Sequence, residues 1–566
     1  MGIFRFLAAA AVLLLPLYPA QPVRARKAMV VSREANATEA GLAVLKAGGN
    51  AVDAAVAVGF ALAVTHPSAG NLGGGGFMLI RFADGRKTFI DFREMAPAKA
   101  SRDMYLDASG NPTRDSLTGW RASGVPGTVR GLELAHKKYG KLAWAPLVTP
   151  AANLAMKGFA LPYGTARSLK AARNLAQFPE SKRIFQRNGE YFEPGDVLKQ
   201  PELGAVLERI AHAGPNDFYE GETAKRLAAE MTAHGGAITL DDLKNFKAVE
   251  RVPLEGKYRG YDIITAPPPS SGGIGILQML AVLEKTKFAE TGAGSAQSVH
   301  YMAEAMRRYY ADRSEFLGDP DFFKVPTKQL LDKKYTDKLR TSIDPSRATP
   351  SDAVKHGDLN LKESTETTHY SIVDAEGNAV AVTYTLNGGY GSGVAIPGLG
   401  FLMNNEMDDF TAKPGSPNTF GLVQGAANKI EPGKRMLSSM SPTIVLDDKG
   451  DAVMIAGAGG GPRIITAVWQ TISNVLDFKM HADAADAAPR IHHQHLPDLV
   501  DVEVDAIDAA TEAALKAAGY TVSWGGSTPA PGVKMSFYGA VTTIVRAGDH
   551  WEGSSDRRGG GAAAGD

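Results

Sequence analysis

Apolar residues in this chain fall into three kinds of run, and each predicts a different element. From Thr38 to Pro67 the text TEAGLAVLKAGGNAVDAAVAVGFALAVTHP is apolar on every side of a helical wheel and is interrupted at Gly48-Gly49, so it predicts two alanine-rich, largely buried helices. A second kind is short and turn-bounded: Phe77 to Phe82 reads as a strand, Asp84-Gly85 as its turn, and a return strand ends near Arg93. Helical spacing then dominates from about Gly127 to Lys247. A strand at Gly260 to Thr265 leads into the loop APPPSSGG, a helix from Ile274, and another over roughly Ser295 to Ser314. A polar, lysine-rich stretch runs on to Glu366.

The pattern changes at Thr367. Strands are expected over Thr367 to Asp374 and Ala379 to Leu386, joined by a turn at Ala375 to Asn378. Further strands at Thr443 to Leu446 and Ala452 to Ile455 precede the glycine run GAGGGPR and an apolar helix from Ile464 to about Leu476. A helix near Ile507 to Ala518 and strands near Thr521 and Val541 close the pattern, and RRGGGAAAGD, residues 557–566, reads as a disordered tail. No internal repeat is visible. Helices mixed with antiparallel hairpins predict sheets covered by helical layers, an α+β class.

Composition narrows the function. With 566 residues, 44% hydrophobic and 22% charged, the chain can bury a large core. Lysine plus arginine equals aspartate plus glutamate at 61 each, and no basic run interleaves with aromatics, which argues against a nucleic-acid partner. The start, MGIFRFLAAAAVLLLPLYPAQPVRARKA, has Arg5, an apolar run from Phe6 to Leu17, then prolines and small residues: the layout of a secretory signal, too short to span a bilayer comfortably. Residues 1–25 are assigned to it, with cleavage after Ala20 or Ala25. An exported protein, periplasmic or extracellular, follows. Its stability comes from core size, since it contains no cysteine.

The chemistry concentrates at the strand beginning Thr367-Thr368-His369. A threonine hydroxyl is a poor nucleophile at neutral pH and needs a base within hydrogen-bond reach. His369 shares Thr367's face on a strand and is one conceivable base, although no Gly-x-Ser-x-Gly elbow is present. Another solution is a cut before Thr367, which leaves its own α-amine, of pKa near 7.7–8.0, to accept the hydroxyl proton. The polar run HGDLNLKESTE before Thr367 suits such a cut. The plain alternative is an ordinary strand rich in strand-favouring residues. A turn centred between Glu376 and Gly377 makes partner numbers sum to about 753, which sets Thr385 opposite Thr368 and beside Thr367.

Five separated motifs, ETTHYSIVDAEGNAVAVTYTLN, NNEMDDF, LSSMSPTIV, GNLGGGGFMLIRF and DFREMAPAKA, together resemble the γ-glutamyltranspeptidases of the N-terminal-nucleophile hydrolase superfamily, from about Lys27 to Asp556. The resemblance implies a four-layer αββα sandwich built jointly by two subunits. The precursor cleaves itself between Glu366 and Thr367 into a large subunit, 26–366, and a small catalytic subunit, 367–566, which remain together as a heterodimer. Thr367 is then the nucleophile toward the γ-glutamyl amide of glutathione or other γ-glutamyl compounds. The acyl group passes to water, an amino acid or a dipeptide, and no cofactor or metal is used.

By the same resemblance, Thr385 holds the nucleophile and the backbone amides of Gly460 and Gly461 form the oxyanion hole, a role glycine suits because no side chain obstructs the donors. Arg93 grips the substrate α-carboxylate, a planar fork on a planar anion, with Ser438 and Ser439 adding hydroxyls. Asn387, Glu406 and Asp409 take the α-ammonium. Asp409 also separates this activity from related glutaryl or cephalosporin acylases, which tend to lose that acid. The stretch KPGSPNTFGLVQG, Lys413 to Gly425, resembles a lid loop with Phe420 as its gate. Three histidines in IHHQH, Ile491 to His495, raise a zinc reading that lacks a matched carboxylate. The alternatives are a related amide acylase and an exported binding protein without chemistry.

Overall fold

A computed structural model describes residues 21–187, 189–354, 367–411, 426–524 and 539–566. Fourteen strands make two large sheets: β1 (Val23–Ala25), β2 (Met29–Ser32), β3 (Gly75–Arg81), β4 (Lys87–Asp91), β5 (Val249–Arg251), β6 (Leu254–Tyr258), β7 (Tyr261–Thr265), β8 (Thr368–Val373), β9 (Ala379–Thr385), β10 (Thr443–Leu446), β11 (Ala452–Gly459), β12 (Ala540–Ala547), β13 (His550–Ser555) and β14 (Ala562–Gly565). One sheet runs β1-β13-β12-β11-β10-β7-β6 and the other β14-β2-β8-β9-β3-β4-β5. Every neighbouring pair in both is antiparallel.

Eight helices matter for the layers: α1 (Ala35–Lys46), α2 (Ala51–Thr65), α3 (Thr128–Tyr139), α4 (Trp144–Lys157), α5 (Pro201–Ala213), α6 (Gly272–Glu284), α7 (Ala296–Phe316) and α8 (Arg463–Leu476). The first five pack on the sheet containing β8, and the last three join the core of the other sheet. The result is the αββα sandwich expected of an N-terminal-nucleophile hydrolase. The break at Gly48-Gly49 separates α1 from α2, and Asn50 caps α2 in a reciprocal box with Asp53.

Strands β8 and β9 are buried along their whole length because they are covered on both faces. Tyr370, Ile372, Val380, Val382 and Tyr384 point to the helical layer, while Val373, Ala379 and Ala381 face the opposing sheet. Buried tyrosines need partners for their hydroxyls. Tyr370 donates to the carbonyl of Ala55 and Tyr384 to that of Gly59, which ties both strands to α2. On the other face the two sheets touch at glycines: a Cβ on Gly457 would lie 2.3 Å from the His369 ring, and one on Gly459 would lie 1.8 Å from the Thr367 carbonyl oxygen.

Three expectations change. The β8–β9 register pairs Thr368 with Tyr384 and Val373 with Ala379, one residue off the expected sum. The cause is the turn, a three-residue loop over 375–377 closed by Asp374, whose carboxylate accepts from the Glu376 and Asn378 amides, with Gly377 at φ 90°. The chain end is not a disordered tail: β14 pairs with β2 through Met29↔Gly565 to Ser32↔Ala562. Gly565 is needed at its end, since a Cβ there would meet that of Ala25 at 2.2 Å. Finally, Val23–Ala25, assigned to the leader, forms an edge strand on β13. Among the described residues no helix is long and apolar enough to cross a membrane.

Candidate active site

Thr367 immediately precedes β8, and Thr385 ends β9. The observed register sets these two side by side, so the one-residue difference moves Thr385 from the Thr368 face to the Thr367 face. Their hydroxyl oxygens lie 3.4 Å apart, with Thr367 donating, and Thr385 in turn accepts from the Asn387 amide at 2.7 Å. Asn387 adopts φ 75°, a conformation asparagine tolerates better than most residues. That bend turns its side chain to donate to the Asn405 carbonyl.

His369 is not placed as a base. Its ring lies between the sheets, with Nδ1 2.7 Å from the Thr383 hydroxyl and Nε2 3.1 Å from that of Ser371. Burial holds its pKa down to about 3, so it stays neutral and engaged. The IHHQH histidines are also internal: His492 contacts Thr466 and Gln494, and His493 pairs with Asp498. Burial lowers the pKa of all three, to about 4 for His493 and His495.

Behind Thr367, Arg93 follows β4 and projects into a buried ion cluster. Its Nη1 lies 2.5 Å from Glu406 Oε2 and 3.5 Å from Glu94 Oε2, and its Nη2 lies 2.5 Å from Asp409 Oδ2. The carbonyls of Met436 and Leu437 also accept from the guanidinium. Glu406 and Asp409 share one turn of 3-10 helix, anchored where Asn404 accepts from the Glu406 amide and donates to the carbonyls of Gly73 and Gly124. Burial raises the pKa of Glu406 and Asp409 and pushes Glu94 up to about 7, against the pull of Arg93. Glu406 Oε2 is taken up by Arg93, whereas Oε1 is buried without a hydrogen-bond partner among the described residues. Such an oxygen is costly unless a donor arrives.

Ser438 and Ser439 complete this wall. Leu437, Ser438, Ser439, Gly461 and Pro462 line one cavity together with Thr367, Thr385, Asn387, Arg93, Glu406 and Asp409. Gly460 and Gly461 have φ of 138° and 55°, outside the range L side chains favour, which explains glycine between β11 and α8. The structure therefore brings the candidates into one cavity except Gly460, which adjoins Gly461 in the same turn, and Phe420, which with the rest of Lys413 to Gly425 lies outside the described residues. Two charged residues went unnoticed in the sequence. Glu94 adjoins Arg93 and had a signal in that adjacency. Arg313, on α7, had none, because only the helix phase distinguishes it from Arg307 and Arg308.

The model of the gamma-glutamyltranspeptidase family matches residues 37–566. The chain is 53% identical over 485 residues to a glutathione hydrolase proenzyme of Escherichia coli (strain K12), a match spanning 85% of this chain and 83% of that one. Cephalosporin acylase from Bacillus halodurans superposes on 98% of this chain and 99% of its own, with a TM-score of 0.82 and 25% identity. Gamma-glutamyltranspeptidase from Helicobacter pylori matches 60% of this chain and 97% of its own, with a TM-score of 0.57 and 43% identity.

Proposed function

The chain belongs to the gamma-glutamyltranspeptidase family, and from that premise we propose that it is a γ-glutamyl transferase and glutathione hydrolase, made as one precursor that cuts its own Glu366–Thr367 bond. The observation that carries this reading is the placement of the Thr367 hydroxyl in one cavity with Arg93, Glu406 and Asp409. One end of that cavity can react with an amide carbonyl. The other can recognise a zwitterion.

The reaction then follows. In the cut protein the Thr367 amine takes the hydroxyl proton as Oγ1 attacks the γ-carbonyl. Negative charge builds on the carbonyl oxygen, where the Gly460 and Gly461 amides receive it. Collapse breaks the C–N bond, the departing amine takes the proton, and the γ-glutamyl group remains as an ester on Thr367. Water or the amine of an amino acid or dipeptide attacks that ester, gives up a proton to the Thr367 amine, and frees Oγ1. The substrate α-carboxylate lies against Arg93, Ser438 and Ser439. Its α-ammonium lies against Asn387, Glu406 and Asp409 and supplies a donor to Glu406 Oε1, which has none among the described residues. Retention of both acids on Arg93 favours γ-glutamyl donors over acylase substrates without an α-amine.

We also read residues 1–20 as an export signal cut after Ala20, because a cut after Ala25 would delete the edge strand and the bonds from Arg24 to Glu552. N-terminal sequencing of the two bands on a denaturing gel tests both cuts: the shorter fragment should begin at Thr367. The same preparation should cleave a γ-glutamyl anilide, faster with glycylglycine. An active protein whose polypeptide is intact across Glu366 would end this reading.

A further inference from the structure

The loop APPPSSGG and the arginine missed in the sequence meet behind the carboxylate end of the cavity. Arg313, on α7, is 2% exposed yet lines that cavity. Its Nη2 donates to the Ser439 hydroxyl at 3.1 Å and its Nε to the Ser271 hydroxyl at 3.0 Å, while Nη1 is buried without a partner among the described residues. Ser271 passes the contact on: its hydroxyl and its amide both donate to the Ser438 carbonyl at 2.7 Å. The Ser438 amide donates back to the Pro269 carbonyl, and the Ser270 hydroxyl donates to that of Met440. Arg313 thus holds Ser439 directly and Ser438 through one intermediary.

Donor and acceptor roles sharpen this arrangement. A guanidinium only donates. The Ser439 oxygen therefore accepts from Arg313 and keeps its own proton for another acceptor. The Ser438 hydroxyl oxygen likewise accepts from the Met440 amide at 3.1 Å. Both hydroxyls have a donor supplied by the protein, so both can present O–H toward the cavity. A carboxylate, which only accepts, is the ligand such a pair suits.

We propose that Arg313 is the positioning residue of the α-carboxylate subsite: it fixes the Ser439 hydroxyl as a donor directly and, through Ser271, holds the backbone of Ser438, whose own hydroxyl accepts from the Met440 amide. This rests on the γ-glutamyl reading above. It adds a residue from the large subunit, and the role of the Pro-Pro-Pro-Ser-Ser loop, to carboxylate recognition.

The test compares wild type, R313Q, R313K and S271A after each is shown to be cut into two fragments. With a γ-glutamyl anilide as donor and glycylglycine as acceptor, R313Q should raise the donor KM by about tenfold or more. Its kcat should stay within about threefold and its acceptor KM should not move, a split that loosened packing would not produce. R313K, which keeps charge but not the fork, should recover part of the donor KM, and S271A should show a smaller rise. An unchanged donor KM in R313Q, or donor and acceptor KM rising together, overturns the proposal. Should R313Q remain uncut, R313K and S271A carry the same decision, and normal donor KM in both overturns it. Inactivity of the wild type on the anilide would instead strike the γ-glutamyl reading.

Discussion

Thr367 is assigned two reactions with one hydroxyl, cutting the chain and then carrying the acyl group, so its loss should abolish both. Thr367→Ala is expected to give a single uncut band and activity lower by on the order of a thousandfold or more; two normal fragments would remove Thr367 from the processing step. Asp409 tests the other end of the cavity. Its carboxylate lies on Arg93 and, in the proposed complex, on the substrate ammonium. Asp409→Asn keeps the shape but loses a charge-assisted hydrogen bond, a loss worth roughly ten- to a hundredfold in kcat/KM on γ-glutamyl donors. Discrimination against an acyl donor lacking the α-amine should relax in the same variant, and parallel kinetics on the two donors check both points.

The hairpin of β8 and β9 and the glycine-bearing strand β11 decide where those residues stand. Alternation puts Thr367, His369 and Ser371 on one face, and close approach of the sheets at Gly457 and Gly459 turns that face into a narrow seam. The Cβ of an alanine at 459 would fall on the Thr367 carbonyl, which is backbone and cannot swing aside. Gly459→Ala should therefore displace the start of β8 and slow self-cleavage by on the order of a hundredfold. A gel time course on freshly purified precursor measures it. Processing at the normal rate would mean the two sheets can part there without cost.

Across the whole molecule, stability is linked to buried charge far from the reacting atoms. Asp486 is fully buried, accepts from the Thr543 hydroxyl, and has its second oxygen unpartnered among the described residues. Burial and the neighbouring Asp556 push its pKa up to about 7. The folded protein therefore holds this proton more tightly than the unfolded chain. The stabilisation is complete below the ordinary aspartate pKa of about 4 and is lost as pH rises toward about 7. Asp486→Asn is neutral throughout, so its melting temperature should exceed that of the wild type at pH 8, by the equivalent of about 2–4 kcal/mol, with the gap closing near pH 4. Calorimetry at pH 4, 6 and 8 follows it; a gap that does not change with pH would mean that Asp486 is already ionised in the folded protein.

The sequence by itself determined the elements and most of the chemistry. Periodicity marked α1, α2, the β3–β4 and β8–β9 hairpins and α8, because apolar spacing and turn residues are local properties. The motifs marked Thr367, Arg93, Glu406, Asp409, Ser438, Ser439 and the glycine pair. Tertiary structure decided what depends on distance across the chain. It fixed the hairpin register through the Asp374-closed turn and so brought Thr385 to Thr367. It recruited the last residues into a sheet edge, since strand pairing needs a partner that a local window does not contain. It also drew Arg313 and the Ser270-Ser271 loop behind two serines more than a hundred residues away, through the phase of one helix and the path of one loop. Which of many arginines faces a cavity is a property of packing, and no spacing along the chain encodes it.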